Sequence, residues 1–291
     1  MLSMKKNEIK AAVAILVMTA IWGGTFPLIK TMLKYLSPEL LITYRFLFAA
    51  ICALPAFFIN VRKYKRTLPK LILLGVIMYS AYLFQTIGLR FTSASKSGFI
   101  TGLYIIFTPI VALFFIKEKP TVKLIFSLVI ATIGLALLSG ISVNNLSVSK
   151  GDLITILSAV AYSIQIVLTN IYVRDTDMSF ITAVQMITMF VVSVPFSIKS
   201  FTLSLPLWVW LSLVFLGSIA GYFAILAETY SLKYIDPDRA SVLFTLEPVF
   251  AGITSYVFLK ESLTKSGILG AVFILIAMWL AISAKPTVSD T

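Results

Sequence analysis

Ten apolar segments of about twenty residues each make up most of this chain. A helix needs roughly 20 apolar residues to cross the ~30 Å hydrocarbon layer of a bilayer, so each segment is predicted to span a membrane. The connections between them are short, which leaves no room for an aqueous domain. The predicted spans, numbered 1 to 10, run approximately from 10 to 30, 38 to 58, 69 to 90, 95 to 116, 122 to 140, 151 to 172, 179 to 198, 207 to 232, 239 to 259 and 265 to 284.

The composition excludes several classes of protein. The chain has 59% hydrophobic and 12% charged residues, whereas ordinary soluble domains carry about twice that share of charge. A single cysteine, Cys52, and the absence of histidine exclude a disulfide framework and nearly every zinc, haem or iron–sulfur site, so no cofactor or metal is predicted. The net charge of +12 does not indicate nucleic acid, because the basic residues lie in short loops rather than on one folded face.

The basic residues predict the orientation of the chain. If the N-terminus is cytoplasmic, fifteen Lys and Arg residues lie on that side and eight on the other, so both termini are predicted to be cytoplasmic. The cluster Arg62–Arg66 contributes most, as a topology signal or, alternatively, as a contact for anionic lipid. The first apolar run is too long for a signal peptide, and we expect a multi-pass protein of the plasma membrane, in bacteria the inner membrane.

A long internal repeat divides the chain in two. Residues 82–123 recur without a gap as residues 225–266, with ten identities in 42 positions, and a second match at a spacing of 140 pairs Trp22 with Tyr162 and Arg45 with Gln185. We therefore predict a first five-helix repeat at 1–142 and a second at 143–291. Since five is an odd number, the second copy enters the membrane inverted, as in transporters that alternate access about a pseudo-twofold axis.

Several motifs then carry a family resemblance. The run WGGTFPLIK in span 1, YRF in span 2, FITGLY…TP in span 4, LEPVFAG in span 9 and the KE pairs ending spans 4 and 9 resemble the EamA group of the drug/metabolite transporter (DMT) superfamily. The resemblance implies an all-α polytopic fold of ten transmembrane helices in two inverted repeats, a cavity lined mainly by spans 1, 3, 4, 6, 8 and 9, and a single chain that works as a monomer. It also implies transport of amino acids, other metabolites or drugs. One departure is that Glu247-Pro248 of span 9 aligns with Tyr104-Ile105 in span 4.

Glu247 is the first of three charged residues predicted to lie inside spans. A charge there costs at least about 2.5 to 3.5 kcal/mol, so it should face a cavity or a partner. Pro248 removes the hydrogen bond to the carbonyl of Phe244 and is predicted to kink span 9 beside this carboxylate. Glu247 is therefore a candidate for binding a cation or a proton. The alternatives are a structural ion pair with Arg45 of span 2 and a hydrogen bond from the neutral acid to a nearby hydroxyl.

Glu228 and Arg45 are the other two charged residues predicted to lie inside spans. Glu228 occupies the position that Gln85 holds in the first repeat, and both could line the pathway or its gates; the alternative for Glu228 is pairing with Lys233 or reaching to the interface. Arg45 could attract a substrate carboxylate or could brace the bundle against carbonyls or Glu247. The helix-terminal pairs Lys117-Glu118 and Lys260-Glu261 are interpreted as structural, with gating as the alternative.

Polar and aromatic residues at helical spacing outline a predicted substrate site. The alternative for each is that Thr bonds its own backbone or that Tyr marks the interface. Together with Glu247, the candidates are Trp22, Thr25 and Phe26 in span 1, Tyr82 and Gln85 in span 3, Thr101, Tyr104 and Thr108 in span 4, Tyr162, Gln165 and Thr169 in span 6, and Tyr222 in span 8.

These features predict a secondary transporter of a small amphiphilic metabolite, such as an amino acid, acting by alternating access. Its expected partners are the small-molecule substrate and the lipid bilayer, with coupling to protons left open. The alternatives are a facilitative uniporter or an exporter of drugs or organic cations; a channel or a membrane-embedded enzyme is remote, since no nucleophile system or metal cluster is readable.

Overall fold

The computed structural model describes residues 6–117, 120–138, 149–260 and 264–284, and throughout these ranges the regular structure is helical. Predicted spans 4, 8 and 9 each consist of two helices, and a π-helical segment, Ser218–Phe223, joins the two halves of span 8. The α-helices are α1 (Lys6–Met32), α2 (Pro38–Asn60), α3 (Leu68–Phe91), α4 (Ala94–Thr101), α5 (Tyr104–Phe115), α6 (Val122–Leu138), α7 (Lys150–Tyr172), α8 (Met178–Ser197), α9 (Leu207–Gly217), α10 (Ala224–Tyr234), α11 (Pro237–Phe244), α12 (Leu246–Leu259) and α13 (Lys265–Ile282).

The predicted membrane spans are present as helices. Within the described ranges, nine continuous or nearly continuous helices are long and apolar enough to cross a bilayer. The tenth, α6, is apolar but has 17 residues, and it borders residues outside the described ranges. The expected all-α architecture of membrane-length helices is confirmed.

Short polar side chains set where these helices begin. Ser37, Ser93 and Thr264 each accept a hydrogen bond from a backbone N–H in the first turn of the following helix. Ser149 and Asp152 form a reciprocal capping box at the start of α7. Each cap satisfies backbone donors that the first turn leaves free, which matters most where the chain enters hydrocarbon.

The most extensive helix contacts cross between the two halves of the chain. Span 2 packs on span 7, span 5 on span 10, span 3 on span 6, and span 1 on both span 9 and span 8. A twofold relation between the halves exchanges span 1 with span 6, span 2 with span 7, and so on. Under this exchange the pairs 2–7 and 5–10 are unchanged, and the pair 3–6 becomes the pair 8–1, which is also in contact. The pair 1 and 9 likewise becomes 6 and 4, again a contact in the structure. This exchange is what a twofold relation between two copies requires.

The two ends of the described chain lie at the same face of the bundle. Arg239 at the start of α11 approaches Glu8 of α1 at 3.8 Å, and its guanidinium donates to the carbonyls of Ala281 and Ile282 at the end of α13. At the opposite face, Lys96 of α4 meets Asp152 at the start of α7. We call these the N-terminal face and the opposite face. That the N-terminal face is cytoplasmic stays a prediction, and the predicted repeat boundary at 142/143 lies outside the described residues.

Two lysines end spans 4 and 9 in equivalent ways. Lys117 and Lys260, 143 residues apart, both have positive φ, 63° and 55°. The N–H of Lys117 donates to the carbonyl of Ala112, and the N–H of Lys260 donates to that of Ser255. Both are left-handed C-caps that close the last turn of a helix. The predicted structural role therefore fits the lysines, while Glu118 and Glu261 lie outside the described residues.

A left-handed residue with a Cβ is strained by about 1 kcal/mol, so these caps predict a stabilising substitution. Lys260→Gly should raise the free energy of unfolding by up to about 1 kcal/mol. Lys260→Val should lower it, because a β-branched side chain fits this conformation worst. Denaturation of the purified chain in detergent checks both changes, and a glycine variant less stable than the valine variant would contradict the assignment.

Candidate functional site

A central cavity lies where the broken helices meet. Its empty space, including the part open to solvent, is about 630 Å³. The walls come from spans 1, 2, 3, 4, 6, 8 and 9, which adds span 2 to the set implied by the family resemblance. The lining residues are Trp22, Thr25, Phe26, Ile29, Arg45, Met78, Tyr82, Gln85, Thr86, Leu89, Thr101, Tyr104, Tyr162, Ile166, Ile225, Glu228, Phe244 and Glu247.

The structure brings most of the predicted site residues to this wall. The candidates of span 1 (Trp22, Thr25, Phe26), those of span 3 (Tyr82, Gln85), the pair Thr101 and Tyr104, Tyr162 and all three intramembrane charges line it. Two hydrogen bonds connect polar side chains of spans 6, 3 and 4 in this wall. Tyr162 donates to the side-chain oxygen of Gln85 at 3.4 Å, and Gln85 donates to the hydroxyl of Thr101 at 3.2 Å.

Four predicted residues lie away from the wall: Thr108, Gln165, Thr169 and Tyr222. Thr108 donates to the carbonyl of Tyr104 at 2.7 Å, the self-bonding alternative for a threonine in a helix. The amide of Gln165 donates to the hydroxyl of Thr169 at 3.1 Å, and the Gln165 side chain also interacts with the carboxylate of Glu228 in the wall. The stripe predicted in span 4 thus reaches the cavity only through Thr101 and Tyr104, since Thr108 lies one turn further along α5.

Spans 4 and 9 break at equivalent places, and the breaks aim side chains into the cavity. In span 9, α11 ends at Phe244, and α12 begins after Thr245, as expected from the hydrogen bond that Pro248 removes. In span 4 the break falls at residues 102–103, and Tyr104 begins α5. Glu247 therefore lies in the first turn of α12, where the positive end of the helix dipole favours a carboxylate.

Span 1 closes against this break. A Cβ added to Gly23 would lie 2.7 Å from the carbonyl oxygen of Glu247 and 2.5 Å from Cβ of Phe250. Only a residue without a side chain allows this approach. The glycine thus lets the backbone of span 1 reach span 9 beside the carboxylate.

The two glutamates are buried at the cavity without a cationic partner in contact. Glu228 is 3% exposed and Glu247 is 8% exposed. Within the described ranges, no Lys or Arg nitrogen lies within 4 Å of either carboxylate. Neither predicted ion pair is therefore made as a contact. Arg45 lies beyond 4 Å of the Glu247 carboxylate, although its charge still acts on that carboxylate, and Lys233 lies over the ring of Tyr234.

Arg45 braces span 8. Its Nε donates to the carbonyl of Leu216 at 3.2 Å and a terminal nitrogen to that of Ala220 at 3.3 Å. The guanidinium also lies 4.8 Å from the ring centroid of Tyr82, a cation–π contact. The indole N–H of Trp22 donates to the same Ala220 carbonyl at 2.9 Å. This is the bracing alternative for Arg45, although its side chain also forms part of the cavity wall.

The π-helical segment explains why span 8 needs such donors. A π-helix shifts the hydrogen-bond register, loosens the carbonyls of the preceding turn, and is frequent at functional sites. Gly217 allows the close approach, because a Cβ there would lie 2.3 Å from the carbonyl oxygen of Arg45. Span 8 contains no proline within this segment, so it lacks the signal that marks the break in span 9.

Sequence reasoning missed the apolar part of the wall and one threonine: Ile29, Met78, Thr86, Leu89, Ile166, Ile225 and Phe244. Five of these residues are aliphatic or Met, and apolar side chains are common on every face of a membrane helix, so their type does not mark a cavity wall. The repeat carried the missing signal. Ile166, Ile225 and Phe244 are the repeat counterparts of Phe26, Tyr82 and Thr101, all of which were predicted.

Comparison with known proteins identifies the family. The model of the EamA-like transporter family matches the chain twice, at residues 9–140 and 149–283. An uncharacterized transporter of Archaeoglobus fulgidus is 29% identical over 94% of this chain and 85% of its own length. The uncharacterized transporter YyaM of Bacillus subtilis is also 29% identical, covering 89% of both chains.

A solved crystal structure of a protein superposes with a TM-score of 0.76 over 96% of this chain and 98% of the other, at 17% sequence identity. At that identity the likeness supports the fold alone. The family match over nearly the whole chain and the membrane-length helices agree with each other. The chain belongs to the EamA-like transporter family, within the DMT superfamily, and is a multi-pass membrane transporter.

Proposed function

We propose that this chain is a secondary transporter of small amphiphilic solutes that carry a protonated amine, such as amino acids or organic cations, and that it works by alternating access. The observation that carries the proposal is the pair of buried carboxylates, Glu228 and Glu247, that face an aromatic cavity without a salt-bridge partner in the described part of the chain. A buried carboxylate is costly unless a cation or a proton joins it.

The surrounding wall supports an organic solute rather than a bare metal ion. Trp22 offers a ring, and Tyr82, Tyr104 and Tyr162 offer rings with hydroxyl groups. Such side chains suit an apolar body and an ammonium group together. Within the described residues, no cluster of acids or thiols fit for a metal ion occurs. The cavity also lies at the interface of the two repeats, where carriers built from inverted repeats bind their substrates.

The same carboxylates support proton coupling. Each can hold either a proton or an ammonium group, so the two ligands compete for one site. A carrier that exchanges one for the other across the membrane uses the proton gradient to drive the solute. Facilitative uniport is the second candidate, and it would require neither glutamate to exchange protons.

A matched series of ligands tests the charge of the solute. Phenethylamine, phenylalanine and 3-phenylpropionate share one body and differ in charge, and the first two are expected to raise the melting temperature of the purified chain and to support counterflow in liposomes. Leucine, isoamylamine and 4-methylpentanoate test whether the body needs a ring. Equal binding of the anion and the amine of one series would rule out the amine site.

Substitution of the glutamates tests their role. Glu247→Gln and Glu228→Gln should each weaken amine binding by about 10- to 100-fold, because a hydrogen bond to a charged group contributes about 1.5 to 3 kcal/mol. In the wild-type chain, amine affinity should fall as pH falls, since a proton neutralises the carboxylate. The double variant should lose this dependence.

The exposed acid Asp175 provides the matched control, as Asp175→Asn should leave both affinity and its pH dependence unchanged. Counterflow by the double variant with wild-type pH dependence would end the proposal of proton coupling. Counterflow by the wild-type chain that does not respond to a pH gradient would instead favour uniport.

Substitution of Arg45 tests whether the site recognises the carboxylate of an amino acid or only the amine of an organic cation. Arg45→Lys removes the planar fork that reaches the carbonyls of Leu216 and Ala220, and it should lower stability by about 1 to 3 kcal/mol. If Arg45 only braces span 8, phenylalanine and phenethylamine lose affinity equally. A loss confined to phenylalanine would assign the substrate carboxylate to Arg45. Arg90→Lys, at an exposed arginine, is the control.

A further inference from the structure

Equivalent side chains fasten spans 3 and 8 at opposite faces of the bundle. At the opposite face, the ammonium of Lys30 donates to the carbonyls of Leu89, at 2.6 Å, and of Thr92. At the N-terminal face, the amide of Asn170 donates to the carbonyl of Leu232, also at 2.6 Å. Asn170 follows Lys30 by the repeat spacing of 140, and Leu232 follows Leu89 by 143. The two bonds are thus copies of one contact.

A second contact at each face is an ion pair, and these pairs are also related. Lys96 meets Asp152 at 2.7 Å, joining the starts of spans 4 and 6. Arg239, the repeat counterpart of Lys96, lies 3.8 Å from Glu8 and joins the starts of spans 9 and 1. We call Lys30, Leu89, Lys96 and Asp152 the opposite-face latch, and Asn170, Leu232, Arg239 and Glu8 the N-terminal-face latch.

The latches join the spans that line the cavity. The opposite-face latch joins span 1 to span 3 and span 4 to span 6. The N-terminal-face latch joins span 6 to span 8 and span 9 to span 1. While the latch at one face is formed, the spans that it joins cannot separate at that face, so the cavity stays closed there. Because an inverted-repeat carrier opens one face at a time by rocking its bundles, one latch must break while the other holds.

The two latches differ in chemistry although their geometry is related. The opposite-face latch uses a charged donor on a carbonyl and a short ion pair whose carboxylate is 4% exposed. The N-terminal-face latch uses a neutral amide and a longer ion pair, at 3.8 Å. Its carboxylate is 18% exposed, and its arginine is 4% exposed against 30% for Lys96. Charge-assisted hydrogen bonds are about twice as strong as neutral ones, and the Lys96–Asp152 pair is itself such a bond at 2.7 Å, whereas 3.8 Å is too long for one.

We propose that these two latches are the gates of the carrier and that their unequal strength sets its resting state, with the empty chain more often closed at the opposite face and open at the N-terminal face. This inference rests on the alternating access of the proposed function. A ligand or proton shifts a two-state equilibrium only through its different affinity for the two states, so the latches fix the starting ratio from which the solute works.

Face-specific labelling of the cavity tests the proposal. The chain has one cysteine, so Cys52→Ala with Thr86→Cys leaves a single thiol in the cavity wall. Right-side-out and inside-out vesicles then give the rate of reaction with a membrane-impermeant maleimide from each face. In this background the thiol should react faster from the N-terminal face.

Breaking either latch should act on its own face. Asp152→Asn should raise labelling from the opposite face by about tenfold, the effect of losing one charged hydrogen bond. Glu8→Gln should raise labelling from the N-terminal face by less. Lys34→Gln, at an exposed lysine four residues after Lys30, is the control and should change neither rate.

Two further variants protect the test against misfolding. Asp152→Glu keeps both the carboxylate that meets Lys96 and an acceptor for the capping box of α7, so it should keep slow labelling from the opposite face. Asn170→Lys copies the charged donor into the weaker latch and should slow labelling from the N-terminal face. The proposal is wrong if Asp152→Asn raises the labelling rate equally from both faces. It is also wrong if this variant keeps the wild-type melting temperature and both labelling rates stay unchanged.

The labelling result is separable from the transport proposal. A chain with the expected face-specific rates but no counterflow of any amine would keep the latches and remove the proposed substrates. A chain that carries amines while Asp152→Asn leaves both labelling rates unchanged would keep the function and remove the latches.

Discussion

The backbone of a membrane protein must satisfy its polar groups without water, and this constraint governs the centre of the structure. Spans 4, 8 and 9 each interrupt the regular helical pattern of hydrogen bonds, by a break or by a π-helical segment. Such interruptions are tolerated only where donors from neighbouring helices or a cavity replace the missing bonds. Arg45 and Trp22 supply donors to span 8, and the breaks of spans 4 and 9 open on the cavity. The cavity and the broken helices therefore depend on each other.

The sequence predicted the helices and much of the site because the relevant signals are local or repeated. Apolar length predicts spans, proline at 248 predicts the break in span 9, and the repeat places Glu228 opposite Gln85. The π-helical segment could not be predicted, because its register depends on the donor that Arg45 brings from a distant helix. Thr108 and Gln165 bond to partners one turn away on their own helices. The spacing allows both this arrangement and a place in the cavity wall, so it could not decide between them.

The duplication is symmetric in backbone and asymmetric in charge. The left-handed caps at Lys117 and Lys260, and the carbonyls of Leu89 and Leu232, are copies of the same geometry. Yet both intramembrane acids of the cavity belong to the second repeat, where the first has Gln85 and Tyr104. A solute at the centre therefore meets an acidic wall from the second repeat and, from the first, a wall that carries Arg45. The fold supplies two interchangeable shapes, and the side chains make those shapes unequal in energy.

The packing of each helix mainly against the other half has a consequence for the origin of such a chain. The five helices of one half pack mainly against helices of the other half, since spans 2, 3 and 5 make their most extensive contacts with spans 7, 6 and 10. One half alone would leave these helix surfaces uncovered. A half-length ancestor with this architecture would have had to pair with a second copy of itself in antiparallel fashion. Its polypeptide would have needed to insert in both orientations with similar frequency. Fusion of the two copies then freed each one to acquire its own balance of loop charges.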